Sequence, residues 1–206
     1  MKLTILLLAV MIGGAGALVA LKPGSSAIES TTREPQPNTE AGTVNNTPLE
    51  LPLVEPRIEV FKGKREMVLF SAGKAVRVYR IGLGSNPKDD KSVQGDGCTP
   101  EGEFYVCSKN PKSSYYLSLG LSYPNVEDAE RGFRDKLISK AQRDQIVRSI
   151  HGRSCPPWNT RLGGEVFIHG NGSSSDWTLG CVALDNGNMK ELFGVIPRGT
   201  PVKIKP

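Results

Sequence analysis

The 206-residue sequence has few of the residues that most often bind transition metals, with four cysteines and two histidines. Structural zinc sites usually draw on pairs of cysteines only a few residues apart. The cysteines here stand at positions 98, 107, 155 and 181 and form no such pair, and the histidines stand at 151 and 169. A zinc site is therefore not expected, and we expect no cofactor.

Long apolar runs and simple repeats are equally scarce. One uncharged apolar stretch, residues 3–21, has no counterpart later in the chain, which excludes a protein with several membrane spans. There is no heptad pattern, and the 23 glycines have no period of three, which excludes coiled-coil and collagen folds. The net charge of +5 is moderate, and no nucleic-acid partner is expected from it.

The apolar stretch at the start of the chain indicates export. We interpret residues 1–21 as a signal peptide or signal anchor, because their length lies on the border between the two. Ala15-Gly16-Ala17 resembles a cleavage site and favours a cleaved signal, whereas residues 18–21 continue the apolar run past it. Either interpretation places the rest of the chain in the periplasm or cell envelope, secreted or anchored to the membrane by this segment.

The remainder divides into a linker and one domain. Residues 22–56 are rich in Pro, Ser and Thr, and such a composition buries too little apolar surface to offset its ordering entropy, so a disordered linker is predicted. In residues 57–206, alternating patterns with β-branched and aromatic residues predict strands, including a hairpin over 58–70. Residues 126–150 show helical spacing. The predicted fold is therefore β-dominated with a helical insertion.

His169 and Cys181 flank a loop rich in Gly and Ser. Residues 166–168 have the pattern of a buried strand that ends at His169, and the loop lets the chain double back so that Cys181 can face the imidazole. The thiolate is the reactive form of cysteine, and a neighbouring imidazole can remove the thiol proton. Gly180 leaves room for a substrate carbonyl and for backbone N–H donors to an oxyanion. Taken singly, each residue also fits a structural role, as a core histidine or a small buried thiol.

Two separated motifs resemble the L,D-transpeptidase catalytic-domain family of the YkuD type. F-I-H-G at 167–170 followed by T-L-G-C-V at 178–182 is similar to the family's His-Gly and Ser/Thr-x-Gly-Cys signature. G-D-G-C-T-P-E-G-E-F at 95–104 is similar to the family's G-D-G-x-T-P-x-G-x-F segment. The resemblance covers residues 57–206 and implies a β-sandwich or barrel-like catalytic domain.

The resemblance implies a cell-envelope enzyme that acts on peptidoglycan stem peptides. Cys181 would attack the carbonyl of the third stem residue and expel D-alanine, and the thioester would pass to an amine or to water. His169 would be the general base, oriented by the carbonyl of Gly170. Trp177 would flank the substrate or pack beneath the loop. The residues expected to bind substrate are Trp177, Thr178 and Gly180.

Two positions depart from the family pattern. Leu179 stands where many members have His, and Ala183 stands where many have Asn or Arg. This pattern is closer to a branch that includes hydrolytic members, so hydrolysis at the same Cys/His site is the main alternative to transfer. A non-catalytic module that binds the wall through its basic surface is a further alternative, against which the intact Cys/His pair argues.

The remaining cysteines and turns are expected to be structural. Outside the cytoplasm, Cys98, Cys107 and Cys155 can supply one disulfide and leave one thiol free, and their spacing does not choose the pair. Thr99-Pro100 and His151-Gly152 are expected to form a turn and a helix end. Asp176 is predicted to hold the Gly/Ser loop. The sequence gives no oligomeric state.

Overall fold

The computed structural model describes Asn45 and residues 47–206. The predicted signal segment, residues 1–21, and most of the predicted linker lie outside the described residues. Within the described part of the chain, no helix combines the length and the apolar character that a bilayer crossing requires.

The described residues form eight strands, three α-helices and one short 3₁₀ turn at Lys62–Lys64. This confirms the predicted β-dominated fold with a helical insertion, and the predicted hairpin is the antiparallel pair of the first two strands. The strands are β1 (Arg57–Phe61), β2 (Glu66–Ser71), β3 (Lys74–Arg80), β4 (Gly102–Ser113), β5 (Tyr116–Leu121), β6 (Phe167–His169), β7 (Val182–Ala183) and β8 (Pro201–Lys205). The helices are α1 (Val126–Arg134), α2 (Lys140–His151) and α3 (Asn186–Val195).

All eight strands belong to one mixed sheet with the order β3-β2-β1-β8-β4-β5-β6-β7. The β1–β8 and β6–β7 pairs are parallel, and the other neighbours are antiparallel. Just beyond β3, the backbones of Gly82 and Ala183 exchange two hydrogen bonds of 2.9 and 2.8 Å. Because Ala183 belongs to β7, this isolated bridge connects the chain just after β3 with the opposite end of the open sheet.

One apolar core fixes the strands that carry the predicted site. Burial alternates along β8, where Val202 and Ile204 are buried and Pro201 and Lys203 are exposed. Ile168 of β6 and Leu192 of α3 belong to the same buried cluster. Full burial of such a side chain contributes roughly 1.5–3 kcal/mol. The chain segment between β6 and α3, which holds the Gly/Ser loop, is therefore anchored at both ends.

The helical insertion builds a second, smaller core. Both of its helices begin with a reciprocal capping box, Asn125 with Asp128 in α1 and Ser139 with Gln142 in α2. A disulfide joins Cys107 of β4 to the chain after α2, with the two Cα atoms 5.2 Å apart, and Cys98 and Cys181 are free. The buried members of the smaller core at the helical insertion are Ala129, Ile138, Ile146 and Leu162.

Candidate active site

His169 and Cys181 line the same cleft, whose volume is about 620 Å³. His169 ends β6, and Cys181 directly precedes β7. The parallel register pairs Ile168 with Val182, so Cys181 lies opposite Phe167, two residues before His169. Because side chains alternate along a strand, the thiol and the imidazole project from the same face of the sheet. The structure therefore brings together the two residues that the sequence singled out.

Backbone groups at the start of β6 hold the thiol. The N–H of Phe167 donates to Cys181 Sγ at 3.4 Å, and Sγ–H donates to the carbonyl oxygen of Glu165 at 3.5 Å. Burial raises the pKa of the Cys181 thiol to about 11, although the Phe167 N–H and the charge of Lys91 act in the opposite direction. The resting nucleophile is therefore a thiol and not a thiolate at neutral pH.

The imidazole of His169 is 2% exposed and is fixed by its own neighbour in sequence. Its Nδ1 lies 2.7 Å from the carbonyl oxygen of Gly170, the contact predicted to orient the ring. A carbonyl can only accept, so Nδ1 carries the proton and Nε2 keeps the lone pair of a base. Burial lowers the pKa of His169, and the hydrogen bond to Gly170 acts against this. Among the described residues no hydrogen bond joins the imidazole to Sγ, and burial disfavours the charged form of each group.

Two aromatic side chains enclose this base. Tyr115 stacks on His169 with ring centroids 4.7 Å apart, and Trp177 meets the imidazole edge-on at 5.5 Å. Trp177 Nε1 also donates to the carbonyl oxygen of Gly172 at 3.1 Å, so this side chain packs on the loop and lines the cleft at once. Sequence reasoning missed Tyr115, which lies in the turn between β4 and β5 and has no motif to mark it.

Gly180 and Thr178 shape the turn that presents the nucleophile. Gly180 has a φ of +130°, and a Cβ there would lie 2.6 Å from the carbonyl oxygen of Cys98, so a side chain does not fit. The Thr178 hydroxyl donates to the Cys181 carbonyl at 2.8 Å and accepts the Gly180 N–H at 3.1 Å. The Gly180 N–H is thus engaged, whereas the Cys181 N–H has no acceptor within the described part of the chain. Leu179 is 82% exposed at the rim of the cleft.

Ion pairs and hydrogen bonds fasten the Gly/Ser loop to the sheet. Asp176 accepts from Arg65 through Nε and Nη2 at 2.8 to 3.1 Å and from the Leu83 N–H at 3.0 Å. Asp176 therefore holds the loop, as predicted from the sequence. At the other side of the loop, Asp185 accepts from the N–H and the hydroxyl of Ser173 at 3.0 and 3.1 Å.

The second sequence motif packs behind the turn that carries Cys181. The Asp96 carboxylate accepts from Lys91 Nζ at 2.8 Å and from the N–H groups of Ser92, Val93 and Cys98 at 2.8 to 3.0 Å. Burial raises the pKa of Asp96, but these hydrogen bonds outweigh it and bring the pKa below its usual range. Lys91 is buried beside the cleft and was missed by sequence reasoning, because its partner is recognisable only in the folded loop.

The same motif is fixed to the sheet by a second buried lysine. Lys62 donates to the carbonyl oxygens of Asp89 and Thr99 and to the Glu101 carboxylate at 2.7 to 3.0 Å. The Thr99 hydroxyl accepts the N–H of Gly84 at 3.0 Å. These contacts agree with the structural role expected of Thr99-Pro100.

Three charged side chains line the cleft, namely Lys91, Lys112 and Glu165. Lys91 is neutralised by Asp96, whereas Glu165 is the only acidic side chain among the described lining residues. Within the described residues, no three His, Cys, Asp or Glu side chains converge as a metal site would require. The reactive groups of the cleft are therefore the thiol of Cys181 and the imidazole of His169.

His169 at the end of β6 and Cys181 just before its parallel neighbour β7 face one cleft, an arrangement suited to a cysteine nucleophile and its base. The family model described as the L,D-transpeptidase catalytic domain, YkuD, matches residues 55–204. The chain belongs to this family, which confirms the resemblance seen in the two motifs.

Individual relatives are distant. The Escherichia coli (strain K12) protein named "Putative L,D-transpeptidase YafK" is 27% identical over 143 residues, which cover 66% of this chain and 45% of that protein. The chain thus spans less than half of the curated relative's length. The structure of Bdellovibrio bacteriovorus Bd1075 is 20% identical with a TM-score of 0.50, covering 74% of this chain and 48% of that one, and this likeness concerns the fold alone. The helical cell shape determining protein Pgp2 of Campylobacter jejuni is 21% identical with a TM-score of 0.48, covering 80% of this chain and 53% of that one.

Proposed function

We propose that the chain is a cysteine L,D-transpeptidase that acylates Cys181 with a peptidoglycan stem peptide and passes the acyl group to an amine. One observation carries the proposal: the parallel pairing of β6 with β7 puts the thiol of Cys181 and the imidazole of His169 on one face of one cleft. Membership of the family supplies the class of reaction. A module that only binds the wall would not require a thiol and a base that face the same cleft.

Acylation begins with two neutral groups. As Sγ attacks the carbonyl carbon of the third stem residue, its proton passes to Nε2 of His169, because Nδ1 is held by Gly170. The Gly170 carbonyl then stabilises the imidazolium through the same hydrogen bond. The imidazolium returns its proton to the departing nitrogen of D-alanine, the C–N bond breaks, and a thioester remains on Cys181.

The negative charge on the tetrahedral intermediate needs a donor close to the nucleophile. The N–H of Cys181 is free for this purpose, whereas the Gly180 N–H is already engaged by Thr178. One such donor is worth roughly 3 kcal/mol in the transition state. Thr178 and Gly180 therefore contribute by fixing the turn that presents Cys181.

Resolution of the thioester repeats the proton transfers in reverse. The incoming amine attacks the thioester carbonyl, Nε2 takes its proton, the C–S bond breaks, and the imidazolium reprotonates the thiolate. The product is a 3→3 cross-link, whereas water as the acceptor would give hydrolysis. An enzyme with this substrate acts outside the cytoplasm, which agrees with a role for residues 1–21 in export and for residues 57–206 as the catalytic domain.

The test is product analysis with the full-length chain and its Cys181→Ala variant. Each protein is incubated with muropeptides that carry tetrapeptides, and the products are identified by mass spectrometry. Dimers with a 3→3 link that require Cys181 establish transfer to an amine. Tripeptides and free D-alanine without dimers establish hydrolysis instead.

The remaining free cysteine provides a matched control. A Cys98→Ala variant keeps Cys181 and is expected to keep the product pattern, because Cys98 does not line the cleft and its Sγ hydrogen-bonds only the Asp96 carbonyl among the described groups. Equal product from the Cys181→Ala protein would overturn the mechanism. Substrate left intact by the unaltered chain would overturn the action on stem peptides.

A further inference from the structure

Glu165 occupies an unusual position at the start of the catalytic strand. Its φ of 53° lies in the left-handed region, which costs a residue with a side chain about 1–3 kcal/mol. Its carbonyl oxygen accepts from the thiol of Cys181 at 3.5 Å. Its neighbours are closely packed, since Trp158 covers Gly164 so closely that a Cβ there would lie 2.4 Å away, and the same ring packs against Phe167. The surroundings therefore impose this backbone conformation next to the nucleophile.

The side chain of Glu165 has no structural partner. Its carboxylate makes no hydrogen bond or ion pair with any described residue, although it lines the cleft and is exposed. By contrast, Asp96 is neutralised by Lys91 and Asp176 by Arg65, each at 2.8 Å. An unpaired anion is therefore presented to the substrate, in a chain whose net charge is +5.

The carboxylate does not assist the nucleophile. A negative charge near a thiol disfavours the thiolate, and the charge of Glu165 adds to the effect of burial in raising the pKa of Cys181. A Gln or Ser at this position would avoid that effect. The charge of Glu165 therefore does not activate Cys181.

We infer that the Glu165 carboxylate binds a cationic amino group of the substrate beside the reacting carbonyl. This inference rests on the proposed function. A carboxylate and an ammonium form a charge-assisted hydrogen bond of about 2.7–2.9 Å, roughly twice as strong as a neutral one. The amine has two possible sources, the side chain of the stem residue that acylates Cys181 or the acceptor that resolves the thioester. In either case Glu165 determines specificity and takes no part in the proton transfers.

Binding without turnover tests the inference directly. The full-length Cys181→Ala protein is titrated by calorimetry with a stem tetrapeptide whose side-chain amine is free and with the same peptide acetylated at that amine. The free amine is expected to bind about tenfold more tightly, the difference given by one charge-assisted hydrogen bond at a partly exposed site. Adding Glu165→Gln should remove this difference by weakening the free-amine peptide alone.

A matched control uses another exposed glutamate. Glu127 lies in the first turn of α1, away from the cleft, and Glu127→Gln in the same background should preserve the tenfold preference. Equal affinities for the free and acetylated peptides, or a preference that survives Glu165→Gln, would overturn the inference. Because this titration involves no reaction, its result does not depend on whether the unaltered chain transfers, hydrolyses or leaves stem peptides intact.

Turnover then assigns the source of the amine. With Cys181 present, Glu165→Gln should raise KM about tenfold for donors with a free side-chain amine and leave acetylated donors unchanged if Glu165 binds the donor. If it binds the acceptor, donor KM is unchanged and the ratio of cross-linked to hydrolysed product falls about tenfold. Failure of the proposed function would appear separately, as the absence of any product that depends on Cys181.

Discussion

The ring of Tyr115 lies against the imidazole of His169, with centroids 4.7 Å apart and planes inclined by 27°. Tyr115 belongs to the turn between β4 and β5, whereas His169 ends β6, and the backbone also joins them because the Gly170 N–H donates to the Tyr115 carbonyl at 3.0 Å. The base is thus held on one side by its own chain neighbour and on the other by a distant turn. Its orientation depends on both.

This stacking predicts that Tyr115 positions the base. Tyr115→Ala should lower kcat/KM on stem tetrapeptides by roughly two- to tenfold, the equivalent of one aromatic contact. Tyr115→Phe keeps the ring and should retain nearly full activity. If the Phe variant is as impaired as the Ala variant, the hydroxyl and not the stacking is responsible.

Alkylation of Cys181 should be slow at neutral pH. Burial raises the pKa of the thiol to about 11, so at pH 7 the thiolate is about one part in ten thousand. The rate of iodoacetamide modification, with the site assigned by mass spectrometry, is expected to rise about tenfold per pH unit between pH 7 and 10. His169→Ala should change this resting rate little and abolish turnover. A plateau of alkylation near pH 7 would indicate a thiolate–imidazolium pair instead.

The acid limb of the activity profile should lie below pH 6.5. His169 must be neutral to accept the proton, and burial lowers its pKa from 6.5. As pH falls, the protonated form therefore accumulates only below that value, and kcat/KM should persist through pH 6.5 before it declines. The unfolded chain takes up this proton first, so stability should also decrease as pH falls below 6.5. Half-maximal kcat/KM at or above pH 6.5 would contradict the expected direction.

Gly180 should tolerate no side chain. A Cβ there would lie 2.6 Å from the Cys98 carbonyl oxygen, and the substituted residue would have to adopt a φ of +130°. Gly180→Ala is expected to lower the free energy of unfolding by about 3 kcal/mol and to remove activity. Gly194→Ala in α3 meets no atom within 4 Å and should be neutral or slightly stabilising. Urea denaturation measures both, and equal midpoints would show that the turn can rearrange.

The disulfide between Cys107 and Cys155 should stabilise the fold substantially. It closes a loop across a sequence separation of 48, for which the loss of chain entropy in the unfolded state corresponds to about 4 kcal/mol. The Cys107→Ala/Cys155→Ala double variant should therefore unfold at lower urea concentration than the oxidised chain. Reducing agent should shift the oxidised chain toward the same midpoint and leave the double variant unchanged. A double variant as stable as the parent would show that the unfolded chain is already constrained.

Local patterns in the sequence predicted the strands, the helical insertion and the pair of His169 with Cys181. This was possible because β6, the loop and β7 are consecutive in the chain and carry a compact motif. The positions of Tyr115 and Lys91 at the site could not be predicted. Tyr115 reaches it through the order of the strands, and Lys91 through the folding of a loop. The position of Glu165 beside the nucleophile follows from the pairing of β6 with β7, which brings its carbonyl oxygen to the thiol of Cys181.

The sequence also did not predict which backbone N–H groups of the turn are free. Gly180 suggested that local backbone donors would be free, but the Thr178 hydroxyl occupies one of them and leaves the Cys181 N–H. Which cysteines form the disulfide depends on the path of the chain after α2, and residue spacing does not predict that path. Asp176 was predictable because it stands within the loop that it fastens.

The bridge between Gly82 and Ala183 limits how a peptide can be recognised. Extended peptides are often bound as an additional strand, through main-chain hydrogen bonds to an open edge of a sheet. At Ala183 both backbone groups on the outer side are already taken by Gly82, with bonds of 2.9 and 2.8 Å. The backbone at Ala183 is therefore closed to a peptide that would add to β7 as a further strand.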